Sequence, residues 1–353
     1  MPHTDTLPEN TEAQSFDAKA LVAKTMQAIV LKQANEAIQL ESNILDVPQC
    51  SDNELLVKVE YVGLNPLDAQ YAKTGFCQWQ YPHVLGLDAV GIVVDAPKGL
   101  YPNIGSRVMW HASMSGDGVL SEFAKVPNYA VSVVPDGVDP AQAATLPCAG
   151  MTALISLDKL QISEGDTLFV EAGAGAVGQI AIQFAKLRGA DVFTTAAKRN
   201  HKLVKSLGAD VAFDYKDKKL CQKIRRELGP QGFDAVLDSI GGETTVRNIE
   251  LMRFCGRIAC LKSLPNFEDE LLFRKAPNIS IVSLAGAWLA NSICAQQRMS
   301  FMSNLLLESL EKGDLIVPKV SLIDFTPEAI SAALNKQLAG GFTGKQVVKL
   351  AIT

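Results

Sequence analysis

The sequence predicts an α/β protein of two units, one a compact antiparallel barrel-like unit and the other a doubly wound parallel sheet. Three observations carry that prediction. From Met26 to about Val134, short β-rich runs are interrupted by Gly and Pro; from Ala141 onward, helices alternate with strands; and a G-x-G-x-x-G pattern stands between a strand and a helix. At 353 residues the chain exceeds the size at which one hydrophobic core stops growing.

The first unit is read from MQAIVL, ELLVKVEYVGL, AVGIVV, SRVMW, LSEFAKV and AVSVV, each short and bounded by turn residues. In the second, Leu168 to Glu171 is an apolar run; Val177, Ile180, Ala181, Phe184 and Arg188 follow at helical spacing, Gly189 caps that helix, and Val192 to Thr195 forms the next strand. The alternation continues through Val211 to Phe213, a helix from about Lys218 to Leu228, FDAVLD, a helix near Thr244 to Met252, and RIACL. The run ISIVSL reads as an apolar edge strand, and such an edge is expected to pair across a homodimer near Ile279–Leu284. A later helix is expected to bury Phe301, Met302, Leu305, Leu306 and Leu310, and QVVKLAI to return as a strand to the first unit.

Composition narrows the partners. With 33 Lys+Arg against 38 Asp+Glu and a formal charge of -5, no broad basic surface is indicated, so neither nucleic acid nor anionic membrane is expected. Basic residues in YKDKKLCQKIRREL lie opposite Leu220, Ile224 and Leu228 and read as one water-facing helix surface. The apolar stretch Ile279–Ala290 is shorter than the roughly 20 residues a bilayer span requires. Seven cysteines with no C-x-x-C pair argue against a disulfide framework and for a reducing, cytoplasmic compartment. Residues 1–25 carry Asp5, Glu9 and Glu12 and read as an N-terminal extension rather than a signal peptide, with a short helix around Phe16 to Ala23.

The glycine pattern is informative because of its context. Gly173 permits a tight turn, Gly175 lets the backbone approach a pyrophosphate, and Gly178 allows close helix packing; Ala174, Ala176 and Val177 complete the cofactor loop at a helix N-terminus. The bland alternative is a Gly-rich turn of an unrelated α/β fold, which the strand–loop–helix order disfavours. An NAD site would place an acid about 20 residues after the first glycine. Here Lys198 and Arg199 stand at that point, with Thr195 as a donor before them and Tyr215 ending the next strand, so NADPH is favoured over NADH unless the two charges are simply solvated.

With these residues placed, Met26 to the end resembles the zinc-free, quinone oxidoreductase-like branch of the medium-chain dehydrogenase/reductase superfamily. The likeness rests on VEYVGLNPLDAQ, VLGLDAVGIVV, GVLSEFAKVP, VVPDGVDPAQAATLPCAGMTAL, AGAGAVG, SLGADVAFDY, FDAVLDSIGG and GKQVVKL in that order. It implies a split GroES-like β-barrel catalytic domain around an inserted Rossmann domain, with expected boundaries 26–142, 143–292 and 293–353. It also implies no catalytic zinc, because Asn65 stands where zinc-binding members have Cys, Leu87 and Asp88 replace a His-Glu pair, and Cys148 near the third ligand position cannot hold the metal alone.

Without zinc, hydride from the cofactor can still reach an electron-poor double bond of a quinone or α,β-unsaturated carbonyl. The resemblance assigns Asn65 to positioning beside nicotinamide ribose and substrate, its amide donating to the substrate oxygen, and Thr152 to the nicotinamide end. Tyr71 and Tyr61 are candidate walls or proton donors, with core packing as the alternative. Ser239 and Leu261 end parallel strands, where open α/β sheets bind ligands. His83 and His111 lack an acidic neighbour in sequence and are read as structural, while the acceptor pocket is expected from loops near Phe76–Tyr81, His111–Gly118 and Trp288. The alternatives are a trans-acting enoyl reductase for thioesters and a cofactor-binding protein with little turnover.

Overall fold

In the computed structural model, which describes residues 24–350, the long run ELLVKVEYVG becomes the organising strand of the first unit. The helix expected at Phe16–Ala23 lies outside the described residues. The chain enters through β1 (Thr25–Leu31) and β2 (Leu40–Asp46), an antiparallel pair to which β4 (His83–Val84) adds. The organising strand is β3 (Glu54–Gly63); after it come α1 (Pro66–Thr74), β5 (Asp88–Asp95), β6 (Arg107–His111), β7 (Phe123–Pro127) and β8 (Ser132–Val133). Val57, Val59 and Val62 of β3 are buried with Ile29, Leu31, Val93 and Trp110, filling the barrel.

The short α2 (Pro140–Ala143) and the longer α3 (Pro147–Lys159) lead into the second unit. There β9 (Thr167–Val170), α4 (Ala176–Leu187), β10 (Asp191–Ala196), α5 (His201–Ser206), β11 (Val211–Asp214), α6 (Leu220–Leu228), β12 (Phe233–Asp238), α7 (Glu243–Leu251) and β13 (Met252–Cys260) alternate strictly; α8 (Asp269–Lys275) and β14 (Asn278–Ile281) follow. All pairings are parallel and the order is β11-β10-β9-β12-β13-β14. That is the strand order 3-2-1-4-5-6 of a dinucleotide-binding sheet. Leu168, Phe169 and Val170 are fully buried because helices cover both faces. The predicted edge strand is β14, at one margin of the sheet.

After α9 (Gly286–Leu289) and α10 (Ile293–Glu311), the chain forms β15 (Val320–Asp324), α11 (Pro327–Ala339) and β16 (Lys345–Lys349). β16 pairs with β3, so the last strand completes the sheet begun near the start of the chain. Of the apolar stripe expected on α10, Met302 and Leu306 are buried and Leu310 packs against the core, but Phe301 and Leu305 are displaced from it. Met299, Met302, Ser303, Leu306 and Leu307 are buried, while Phe301 is 71% exposed and Leu305 41%. The groove facing α3 and β8 selects the stripe through Met299, and Ser300 and Ser303 are drawn in by hydrogen bonds to Ser132, Val131 and Met151. Among the described residues, no helix is long and apolar enough to cross a membrane.

Candidate active site

β3 ends against α2 so tightly that a Cβ on Gly63 would lie 2.1 Å from the Ala144 carbonyl oxygen. The next turn is set by Asn65, which caps α1 ahead of Pro66, the residue type suited to a first helical position. The Asn65 backbone N–H donates to Asp68 Oδ2 at 2.7 Å. Its side-chain amide donates to Asp88 Oδ2 at 2.9 Å and to the Gly63 carbonyl at 3.2 Å, while its Oδ1 accepts from the Lys345 ammonium. Both amide hydrogens are therefore engaged. Donation from Asn65 to a substrate oxygen, expected from the sequence, is corrected to a role in holding the buried cluster.

Lys345 opens β16 and its side chain is 4% exposed; its Nζ lies 3.1 Å from Asp88 Oδ2, and the Asp88 side chain is fully buried. The other Asp88 oxygen accepts the Cys148 N–H at 2.9 Å, from the first turn of α3. Across the sheet, Asp88 is paired with His111, so this histidine does face an acid. No acid stands beside His111 in the sequence, because cross-strand proximity is not visible in linear spacing. One donor atom from each of Asp88, His111 and Cys148 lies within 4.8 Å of the others. Burial, and then the nearby Asp88 charge, push the Cys148 thiol up to about 12; burial likewise holds His111 below the usual histidine range. Asp68, buried and facing Asp88, is raised to about 7.

Sequence reasoning missed Lys345, although GKQVV carried a signal. Gly344 has φ +106° and a Cβ there would lie 2.5 Å from the Lys319 carbonyl, so a glycine must precede the lysine for its side chain to enter the interior.

The cofactor loop departs from the expected division of labour. The left-handed residue is Ala172, φ 56°, whereas Gly173 is not at positive φ. Gly173 serves instead for close approach, since its Cβ would meet Thr194 Oγ1 at 2.0 Å. A Cβ on Gly178 would lie 2.6 Å from both the Ala172 oxygen and Gly173 Cα, confirming the need for a bare residue at the packing point. Gly175 is the N-cap of α4, followed by Ala176 and Val177, and a Cβ there would meet nothing nearer than Ala172 O at 3.2 Å. The start of this twelve-residue helix presents N–H groups suited to a pyrophosphate. Thr195 is fully engaged inside the loop: its hydroxyl donates to Glu171 at 2.5 Å and accepts the Ala172 N–H at 3.0 Å. Its expected contact with a 2′-phosphate is corrected to support of the loop. Glu171, which the sequence reading passed over, is also paired with Arg247 on α7.

The register of β10 on β11 pairs Ala196 with Asp214, so Lys198 and Tyr215 leave neighbouring strand ends. Both are exposed, and Arg199 donates to the Gly341 carbonyl at 2.8 Å. Asn200 reaches Thr343 at 3.0 Å. This turn of the parallel unit is therefore tied to the loop that delivers Lys345 to the first unit. Thr152 lies one helical turn after Cys148, Ser239 Oγ is buried without a partner, and the Leu261 N–H donates to the Asp238 carbonyl. Tyr71 lies edge-on to Phe76 and Trp79 and shares a narrow space with Asp68 and Leu87; Tyr61 packs against the main core. Of the expected pocket loops, Ala112–Ser113, Gly116–Gly118 and Trp288 line one cavity of about 720 Å³, whereas Phe76 and Trp79 pack around Tyr71.

Comparison with known proteins fits this arrangement. A model described as alcohol dehydrogenase GroES-like domain matches residues 51–136, and one described as zinc-binding dehydrogenase matches 176–303. The chain belongs to the medium-chain dehydrogenase/reductase superfamily. Within that superfamily, it is 34% identical over 244 residues to a chloroplastic NADPH-dependent alkenal/one oxidoreductase of Arabidopsis thaliana, covering 65% of this chain and 61% of the relative. The aligned stretches span 57–65% of the length of the first curated relatives it matches. The quinone oxidoreductase of Coxiella burnetii superposes with a TM-score of 0.79 at 26% identity, over 93% of this chain and 100% of that one. A mycobacterial protein solved in complex with NADPH gives 0.80 at 26% identity, over 92% and 100%.

Two groups that members of the superfamily hold can be tested against these residues. The glycine cradle, the α4 N-terminus and the unpartnered Ser239 hydroxyl fit a dinucleotide. A catalytic zinc does not fit. Both Asp88 oxygens already accept hydrogen bonds, and the Lys345 ammonium occupies the cation's place beside Asp88.

Proposed function

We propose that this protein is an NADPH-dependent, zinc-independent reductase of an electron-poor double bond in a quinone or an α,β-unsaturated carbonyl. The observation that carries this reading is a nucleotide cradle joined through α3 to a buried polar cluster built around the Lys345–Asp88 ion pair. Bound NADPH would supply hydride to the β-carbon of such an acceptor. The chain's own residues have separate tasks. The loop Gly173–Gly178 and the α4 N-terminus hold the pyrophosphate, Lys198 and Tyr215 face the 2′-phosphate while Arg199 braces the Gly341 loop beside them, and Thr152, Ser239 and Leu261 border the nicotinamide half. Asn65, fixed by Asp88 and Lys345, sets the floor of the acceptor site, and the Tyr71 hydroxyl is the candidate proton donor to the substrate.

A thioester enoyl group is the same acceptor chemistry, so the deciding assay is NADPH oxidation with quinones, enones and an enoyl thioester. Acceptor-dependent loss of NADPH absorbance supports the reading. Tight NADPH binding without acceptor-dependent oxidation overturns it and leaves a cofactor-binding protein. Free cysteines support a reducing, cytoplasmic setting, and the exposed Ile281 on the β14 margin supports a homodimer through that edge, which light scattering of the purified protein tests.

A further inference from the structure

Asp88, His111 and Cys148 bring a carboxylate, an imidazole and a thiol within 4.8 Å of one another, three donor types that bind zinc. The His111 Nδ1 is buried and has no hydrogen-bond partner. Such an orphan is costly unless something else offsets it. The positive charge that reaches the group is the Lys345 ammonium, on Asp88 Oδ2 at 3.1 Å and on Asn65 Oδ1. Its presence neutralises Asp88 and would repel a divalent ion bound to the same carboxylate.

We propose that Lys345 excludes zinc from this chain: its buried ammonium takes the place of a metal ion, and a neutral side chain at 345 turns Asp88, His111 and Cys148 into a divalent-cation site. The inference rests on the zinc-independent reading above. On uptake, the imidazole nitrogen, one Asp88 oxygen and the Cys148 sulfur bind the ion, and the thiol proton leaves to solvent. Water can complete the fourth position.

The test is elemental analysis of full-length protein exposed to zinc and then freed of loosely held metal, for the natural chain, Lys345→Met, Lys345→Gln and the double variant Lys345→Met/Cys148→Ser. Zinc is expected to rise from below ~0.1 per chain in the natural protein to about one in either single variant, and to fall back in the double variant. Zinc-dependent recovery of far-UV circular dichroism in a variant that is unfolded without metal supports the proposal equally. Stoichiometric zinc in the natural protein overturns both the proposal and the zinc-independent reading. A zinc-free natural protein together with a folded, zinc-free Lys345→Met overturns the proposal alone. So does uptake that survives loss of Cys148, or failure of both single variants to fold with or without zinc, since Lys345 would then be a cation that no metal replaces.

Discussion

Lys345 and Asp88 lie 257 residues apart in sequence and 3.1 Å apart in space, both with almost no exposure to water. The pair joins the last strand of the chain to the start of β5, and Asn65 bonds to both partners. Removing one member of a buried ion pair strands the other, at about 3–5 kcal/mol. Lys345→Met in metal-free buffer is therefore expected to lower unfolding free energy by about that amount, read from urea titration. Changing Asp88→Asn in the same background should restore more than half of the loss, because no buried charge is left uncompensated. An equal or larger loss in the double variant would show that packing rather than charge dominates at this point.

How much of this was legible beforehand follows from the physics of each signal. The strand–loop–helix around Gly173–Gly178 was readable because pattern and order are local, and strict alternation implied a parallel doubly wound sheet but not which strands neighbour one another. Thr195 was misassigned because a hydroxyl at a strand end has several local acceptors, and here Glu171 captured it. On α10, Met302 and Leu306 fall in the core as their spacing predicts, whereas Phe301 and Leu305 lose the groove to Met299 and Ser303, because only the partner surface decides the edge of the stripe. His111 and Lys345 were invisible as partners of Asp88 since their proximity is created by β-pairing across long sequence separations.

The glycine cradle makes a graded prediction. Gly178→Ala must force the loop apart, with backbone on both sides of the new methyl group, and overpacking of this kind costs about 1–3 kcal/mol. Gly175→Ala meets only one backbone oxygen at 3.2 Å, so its effect on folding should be small, while its methyl would stand at the α4 N-terminus proposed to hold the pyrophosphate. Thermal melts should rank Gly178→Ala as the less stable variant. NADPH titration by fluorescence should show Gly175→Ala losing at least about tenfold in affinity with little change in melting temperature. Equal melting losses for the two would contradict the packing argument.

Lys198 and Arg199 are separable. Arg199 is tied to the Gly341 carbonyl, whereas Lys198 is exposed at the strand end beside Tyr215. If Lys198 reads the 2′-phosphate, Lys198→Ala should cost NADPH about 1.5–3 kcal/mol of binding and NADH almost nothing, as expected for a hydrogen bond to a charged group. Parallel dissociation constants for the two cofactors check this, and matched losses would remove Lys198 from the phosphate site. Arg199→Ala should affect the two cofactors more evenly, acting through the loop that carries Lys345.

Asp68 gives the pH dependence its sign. Burial, and then the charge of Asp88, raise its carboxyl from 3.8 to about 7 in the folded protein, against a weaker opposing pull from the Asn65 N–H and Lys345. Between those two values the native state keeps a proton that the unfolded chain has already released. Folding is then linked to proton uptake, so this group's contribution to stability is intact below about pH 4 and is lost as pH rises through 7. Asp68→Asn retains an oxygen to accept the Asn65 N–H but cannot ionise. The stability of the variant relative to the natural protein should therefore increase by roughly 2 kcal/mol between pH 5 and pH 8. Urea unfolding at a series of pH values measures the difference directly and cancels the titration of groups common to both proteins. A difference that is flat with pH would mean that Asp68 ionises as readily in the folded state as in the unfolded chain, and a difference that falls with pH would mean that Lys345 outweighs burial and holds the carboxylate charged.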